Sequence, residues 1–428
     1  MRILHLVHQY LPDNVGGTEL YTYWVSQALA RCGHEVAVFY RRSAVGKGLE
    51  ARRDAAGVQI WAAWHGLADP TRRFLAAFGD RVIEAAFERV LDEVHPDLVH
   101  VEHLMGLPIA LVNALHRRKM PFVVTFWDFW WVCANAQLLT NYSQQICDGP
   151  HAYLNCARCA AARAGQAHLW PAWLPLAGLL AWRNHLLRRV MAAAHRLIAP
   201  TEFVRCWYRQ HGVDADKLIV LPPGLEERPA MPAITASDRP LRIAYIGGLA
   251  WQKGVHVLVE AFGGLVGRAE LWIAGDENAD PAYVGRLRAA AGPGVRFLGR
   301  LDQDQVWATL AQVDVVAVPT LWYETFSFIV SEAFTAGVPV IASRLGPLAD
   351  RVHHGEDGLL LPPGDAHAWR SALQQLVDDP IYLERLRNGV RPPLRLAHHV
   401  EHLSAIYQEA ISHGRRDRQR DPSSRRPV

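Results

Sequence analysis

A chain of 428 residues is longer than one hydrophobic core usually serves, so two domains of roughly 200 residues each are expected. Half of the residues are hydrophobic and 20% are charged, which excludes a disordered or fibrous chain and fits a globular α/β protein with buried strands. The net charge of +3 rests on the last stretch, Gly414 to Val428, whose six arginines against Asp417 and Asp421 give +4 and leave the remainder near −1; the folded part offers nucleic acid no basic surface.

The opening MRILHLVHQY lacks the basic region, long apolar run and small-residue site of a secretion signal, and reads as a first buried strand. No segment supplies the 18 apolar residues of a membrane span, so a cytoplasmic protein is expected. Apolar runs at Ile3 to Val7, Glu35 to Tyr40, Leu98 to Val101, Phe122 to Phe126 and Arg196 to Pro200 alternate with helical stretches, the pattern of βαβ units in a parallel sheet. Between the first strand and a helix from Leu20 to Ala30 stands Asn14-Val15-Gly16-Gly17-Thr18-Glu19. Paired glycines let backbone N–H groups approach phosphate oxygens at a helix start, although a plain strand-to-helix turn needs the same freedom. The G-x-G-x-x-G fingerprint is missing, which disfavours a dehydrogenase.

After the fourth strand the chain reads Thr125-Phe126-Trp127-Asp128, followed by four of the six cysteines: Cys133, Cys147, Cys156 and Cys159. The Cys156-Ala-Arg-Cys159 pair has metal-ligand spacing, and structural zinc on the four sulfurs stands level with unligated core cysteines. Leu169 to Trp182 carries three tryptophans but is broken by Pro171 and Pro175. A core helix or the floor of a groove is the preferred reading, with peripheral contact at the inner face of a membrane as the alternative. A Pro-rich linker, Leu221 to Pro240, closes a first domain of residues 1–222.

The pattern then restarts, with strands expected at Leu241 to Ile246, Glu270 to Ala274, Val295 to Leu298, Val315 to Val318 and Val338 to Ala342 in a second domain of residues 241–380. Ligands of open α/β sheets bind beyond the carboxyl ends of the strands, so the loops there are the candidates for chemistry. Ile246-Gly247-Gly248-Leu249-Ala250-Trp251-Gln252-Lys253-Gly254 is one, with Lys253 as a point charge for phosphate. Asp302-Gln303-Asp304 resembles a cation-binding D-x-D but precedes an apolar helix and reads as a helix cap. His100, His103, His353 and His354 show no ligand set and read as surface or loop residues. Most informative is Pro319 to Glu332: Glu324 lies in a loop, Thr325, Phe326 and Ser327 turn amides toward an anion at a helix start, and Glu332 sits in the helix, where a carboxylate needs a partner such as ribose hydroxyls.

Taken together, Glu324-x7-Glu332, the Gly247 to Gly254 loop, the Gly16-Gly17-x-Glu19 turn and the ending Asp357-Gly358-Leu359-Leu360-Leu361-Pro362-Pro363-Gly364-Asp365 resemble family 4 of the retaining glycosyltransferases, over about residues 1–410. The resemblance implies the GT-B fold: two Rossmann-like domains facing across a cleft, the second binding a nucleotide-sugar, with the last helices, about 381–413, crossing back to the first. The arginine-rich composition of 414–428 by itself reads as a disordered basic tail, with contact to an anionic membrane surface as the alternative. It implies a UDP-, GDP- or ADP-sugar donor, no cofactor or metal for catalysis, and a glycan or lipid-linked acceptor in cell-envelope polysaccharide biosynthesis. Glu324 and the backbone of Thr325, Phe326 and Ser327 would hold the sugar and diphosphate, and Glu332 the ribose. Gly16, Gly17 and Gly247 would approach the donor, Lys253 would neutralise the leaving group, and Asp128 would act in catalysis. Two departures stand out. Gly248 occupies a position where the family commonly has Arg, and Trp127 one where it often has His, so a nucleotide-sugar-binding scaffold without turnover is the alternative.

Overall fold

The structure, a computed structural model, describes residues 1–428 other than 44, 45, 47, 67–69, 167, 169, 228–238, 266 and 421–428. The chain divides into two compact units, Met1–Gly224 with Leu396–Val428, and Leu225–Arg395.

The first unit begins β1 (Arg2–Val7), α1 (Gly17–Arg31), β2 (Glu35–Arg42), β3 (Gly48–Arg53), β4 (Gln59–Trp64), α2 (Pro70–Ala76) and α3 (Arg81–Val94). It continues β5 (Leu98–Val101), α4 (Leu111–Arg117), β6 (Phe122–Thr125), α5 (Leu154–Arg163), α6 (Trp173–Ala193), β7 (Arg196–Ala199), α7 (Glu202–Gln210) and β8 (Leu218–Val220). The sheet order is β3-β4-β2-β1-β5-β6-β7-β8, parallel throughout except for β3, which runs antiparallel at the edge beside β4. The five strands expected from the sequence are all present. The sequence reading missed β3, β4 and β8.

The second unit holds β9 (Leu241–Ile246), α8 (Val255–Phe262), β10 (Ala269–Ala274), α9 (Pro281–Ala290), β11 (Val295–Gly299), α10 (Gln303–Leu310) and β12 (Val315–Val318). Then follow α11 (Phe328–Thr335), β13 (Val340–Ser343), α12 (Pro347–Arg351), β14 (Gly358–Leu361), α13 (Ala366–Asp378) and α14 (Pro380–Gly389). Its order, β11-β10-β9-β12-β13-β14, is all parallel and is that of a doubly wound Rossmann sheet. Successive side chains go to opposite faces: Ile243, Leu271, Ile273 and Val315 join one buried cluster with Trp369, while Ala244, Trp272 and Val316 join the other with Trp307 and Val330. Helices cover both faces, so the strands read as unbroken apolar runs. Asp302 is the N-cap of α10 in a reciprocal capping box with Gln305, as the sequence suggested.

The chain returns to the first unit as α15 (Leu396–Arg420). The return starts later than expected, because α14 stays in the second unit. The helix also continues past Gly414, where a disordered tail was expected; residues 421–428 of that tail and 228–238 of the linker lie outside the described residues. Buried side chains lock α15 down. Tyr407 Oη lies 2.6 Å from His100 Nδ1, and His399 reaches Tyr21 Oη through Nε2 at 2.8 Å and Pro222 O through Nδ1 at 2.8 Å. Among the described residues, no helix is long and apolar enough to cross a membrane.

Candidate functional site

In a doubly wound sheet the crevice for ligands opens where the strand order reverses. In the second unit that point lies between neighbours β9 and β12, so the loops after these two strands come together. The β9 loop can do so only because of Gly254: its φ is +70°, and a Cβ there would lie 1.9 Å from Pro319 O at the end of β12. Leu321 N then donates to Gln252 O at 2.8 Å, stitching the two loops.

That stitch brings Lys253 to Glu324. Nζ lies 2.6 Å from Oε1, and Trp322 Nε1 donates to the same oxygen at 2.9 Å. The ammonium also sits 5.2 Å from the centre of the Trp322 ring. Both ends of the pair stay partly open to solvent. Gly247 and Gly248 are exposed on the same loop, with Tyr245 Oη donating to Gly248 O at 2.6 Å to fix the turn.

The stretch Thr325 to Ser327 leads into α11 through Ser327, a non-glycine residue at φ +63° with no side-chain cap, so the first amides of the helix lack an intrachain cap from that side chain. Arg351, from the end of α12, holds this strained turn. Its guanidinium donates to Phe326 O and, at 2.8 Å, to Ser327 O, reaches Ser331 Oγ, and lies 3.8 Å over the Phe326 ring. Burial pulls its pKa down to about 9. Glu332, in α11, is buried, accepts from Gln303 Nε2 at 3.0 Å, and has its pKa raised by burial against that hydrogen bond. Lys253, Glu324, Thr325, Phe326, Ser327, Glu332 and Gly247 thus gather at one switch point. Arg351 was missed, because an arginine in the last turn of a five-residue helix looks like a solvated one.

In the first unit the reversal lies between β1 and β5. Gly16 caps α1 in extended conformation, and Glu19 folds back so that a Cβ on Gly16 would lie 2.6 Å from its Oε2. The Glu19 carboxyl is buried, which raises its pKa, against hydrogen bonds from the Gly16 and Glu19 amides. Gly17 remains exposed. His8, 3.4 Å from Glu19 Oε1, packs at a tilt of 45° against His103 with ring centres 4.6 Å apart, and His103 Nε2 lies 2.9 Å from Asp128 Oδ2. A His–Asp pair therefore forms even though Trp127 stands where the family's histidine was expected. Trp127 is buried and spends its Nε1–H on Glu102 Oε2 at 2.9 Å.

His100 and His103 are not surface residues, as the sequence reading had them; both are buried, and His100 belongs to a network. His5 and His100 are register partners across β1 and β5, so both rings lie on one side of the sheet. Glu102 Oε1 sits 2.9 Å from His5 Nδ1 and 3.2 Å from His100 Nδ1, while Thr125 Oγ1 takes His100 Nε2 at 2.7 Å. Hydrogen bonds engage all three residues, but His5 Nε2 is buried without a partner among the described residues, and His5, His100 and Glu102 form a group whose ligand-type atoms lie within 4.8 Å of one another.

The four cysteines are free thiols in one neighbourhood, yet they do not form such a group. Burial raises the pKa of Cys133 and Cys159 and pushes Cys156 up to about 12. Cys147 Sγ donates to Gly149 O, and Cys159 Sγ accepts from Asn141 N at 3.3 Å.

Known proteins resemble this chain in sequence and in fold. Residues 15–228 match the model for Glycosyltransferase Family 4 and residues 240–379 that for Glycosyl transferases group 1. A glycogen synthase of Mycobacterium tuberculosis (strain CDC 1551 / Oshkosh) is 30% identical over 159 residues, 36% of this chain and 38% of that one. A D-inositol 3-phosphate glycosyltransferase of Corynebacterium glutamicum (strain R) is 31% identical over 226 residues, 47% of this chain and 54% of that one. The chain thus spans about half the length, or less, of these curated relatives. Sucrose-phosphate synthase from Thermosynechococcus elongatus superposes with a TM-score of 0.67 at 19% identity, covering 97% of this chain and 98% of that one. Anabaena HepE in complex with UDP and glucose does so at 0.63 and 16%, covering 96% and 99%. The catalytic domain of starch synthase IV from Arabidopsis thaliana bound to ADP and acarbose reaches 0.65 at 14%, covering 96% and 99%. With two Rossmann-like units of the GT-B class and both family modules in order, the chain belongs to glycosyltransferase family 4.

Proposed function

We propose that the chain is a retaining glycosyltransferase whose second unit binds a nucleotide-diphosphate-sugar, with UDP-, GDP- and ADP-sugars as the candidate donors. The observation that carries this reading is the Lys253–Glu324 pair beside the Ser327 turn. A cation, a carboxylate and the backbone amides of a helix start at one switch point match the parts of such a donor: diphosphate, sugar hydroxyls and phosphate oxygens. Glu332 takes the ribose hydroxyls, which offer its buried carboxylate the partners it lacks. The solved neighbours in complex with UDP and glucose, or ADP and acarbose, support a nucleotide donor.

In the proposed reaction the bond from the anomeric carbon to phosphate breaks and its electron pair leaves with the nucleotide diphosphate, whose charge Lys253 and the amides stabilise. The acceptor oxygen bonds the same carbon on the same face, and its proton passes to the departing phosphate. No enzyme nucleophile is needed. Gly16 and Gly17 border the phosphates, and Asp128, oriented by His103, borders the acceptor. The acceptor is a glycan or lipid-linked glycan of the cell envelope, met at the cytoplasmic side. A zinc ion on Cys133, Cys147, Cys156 and Cys159 would have to draw their sulfurs together, and metal analysis of the purified chain decides it.

The buried, committed indole of Trp127 favours one second reading, a nucleotide-sugar-binding protein without turnover. Calorimetry with the three donor classes, followed by transfer assays with chelator present, separates the two. Binding with transfer supports the enzyme, binding alone supports the scaffold, and no binding removes both.

A further inference from the structure

The inner side of α6 is fixed by burial. Arg183 donates to Trp130 O at 2.7 Å with its guanidinium 4.4 Å from the centre of that ring, Asn184 donates to Val132 O at 2.7 Å, and Leu180 packs with Ala157 of α5, the cysteine-bearing helix. Burial pulls the Arg183 pKa down to about 10. With that side committed, the opposite stripe faces solvent: Leu174, Gly178, Trp182, His185 and Arg189, spaced by four, four, three and four. Leu174 is 73% exposed and Trp182 54%; on α2, whose Phe74 packs against the same cluster, Leu75 is 50% exposed. The sequence reading of this segment as a core helix holds for one side only.

The stripe is graded. Leu174 and Trp182 form its apolar end, and Arg188 and Arg189 its cationic end, about 22 Å from Leu174 at 1.5 Å per residue. No Asp or Glu occurs anywhere in α6. A groove of about 610 Å³ beside it is lined by Phe78, Ile109, Trp182 and Leu186, with His116 and Arg189 among its polar groups. Among its described lining residues none is acidic.

We propose that this side of α6 docks on an anionic lipid bilayer, the apolar end entering the interface and the arginines meeting headgroup phosphates. Tryptophan belongs at that boundary, and cations near an anionic surface add attraction that salt screens. The exposed apolar side chains present on the order of a few hundred Å², short of the roughly 800 Å² per partner of a stable protein interface, which argues against a second copy. None of the residues of this surface takes part in the proposed transfer, so this inference does not rest on it.

Sedimentation of the full chain with vesicles of phosphatidylcholine plus phosphatidylglycerol, against phosphatidylcholine alone, tests it. Binding is expected to the anionic vesicles, to fall with added salt, and to drop more than about tenfold in both the L174A/W182A and R188E/R189E double variants with melting unchanged. Equal binding to neutral vesicles overturns the proposal. So does binding that survives both variants, which assigns it elsewhere, such as the arginine-rich C-terminus. Light scattering that finds a dimer dissolved by L174A/W182A assigns the stripe to a second copy and overturns it as well.

Discussion

Lys253 and Glu324 stand 71 residues apart in sequence and 2.6 Å apart in space. The distance is a consequence of topology: β9 and β12 are neighbours at the point where the sheet changes winding direction, and Gly254 lets their loops touch. Neither charge is fully buried, so the pair contributes little to stability on its own account. Its value lies in holding a cation and a carboxylate ready at the edge of the glycine turn.

Lys253→Ala is therefore expected to lower kcat for transfer by about 10²- to 10³-fold, the range for removing one stabiliser of developing charge, with little change in melting. Glu324→Ala is expected to abolish detectable transfer while leaving the circular dichroism spectrum intact. Retained activity in Glu324→Ala would remove that residue from the mechanism.

Gly254 and Gly248 of the β9 loop make opposite predictions. Gly254→Ala places a Cβ against Pro319 O at a left-handed φ and should cost more than about 2 kcal/mol, read as a lowered denaturation midpoint. Nothing lies within 4 Å of a Cβ on Gly248, so Gly248→Arg should fold normally. It adds a second cation beside the proposed phosphates and should tighten donor binding by about tenfold, the scale of one charge-assisted hydrogen bond. Calorimetry of the two variants reads both effects.

Burial raises the Glu332 pKa above its ordinary 4.5. Between 4.5 and the raised value the folded chain holds a proton that the unfolded chain has lost, so stability falls as pH rises through that window, and the full cost is reached above the raised value. Glu332→Gln should raise the melting midpoint at pH 7.5, lose that advantage below pH 4.5, and weaken donor binding. A variant less stable at neutral pH would mean the carboxylate is better partnered than its single Gln303 contact indicates.

Much of this was legible in the sequence because buried parallel strands are unbroken apolar runs; β5, β9 and β12 match their expected bounds. Those missed have physical reasons. The edge strand β3, GLEARR, has no apolar pattern, and β8 is three residues long. The Glu324 to Glu332 stretch stood out because two carboxylates bracket a helix start. Arg351 did not, since an arginine ending a short helix looks solvated, and neither did the His100 network, since Tyr407 is 307 residues from His100.

That network predicts acid lability. Burial lowers the pKa of His100 and of His399 to about 4, against an ordinary 6.5. Between those values the unfolded chain binds protons that the folded chain refuses, so stability drops as pH falls from 6.5 toward 4. Each pKa unit corresponds to about 1.4 kcal/mol, so each histidine withdraws on the order of 3 kcal/mol across the window. The Glu102 carboxyl, held below its ordinary value by His100 and His5 against burial, adds a further loss below pH 4.5. Urea midpoints from pH 7 to pH 4.5 should fall steeply in the native chain. His399→Gln, which keeps a donor for Pro222 O and an acceptor for Tyr21, should fall less steeply; an unchanged slope would take His399 out of the acid response.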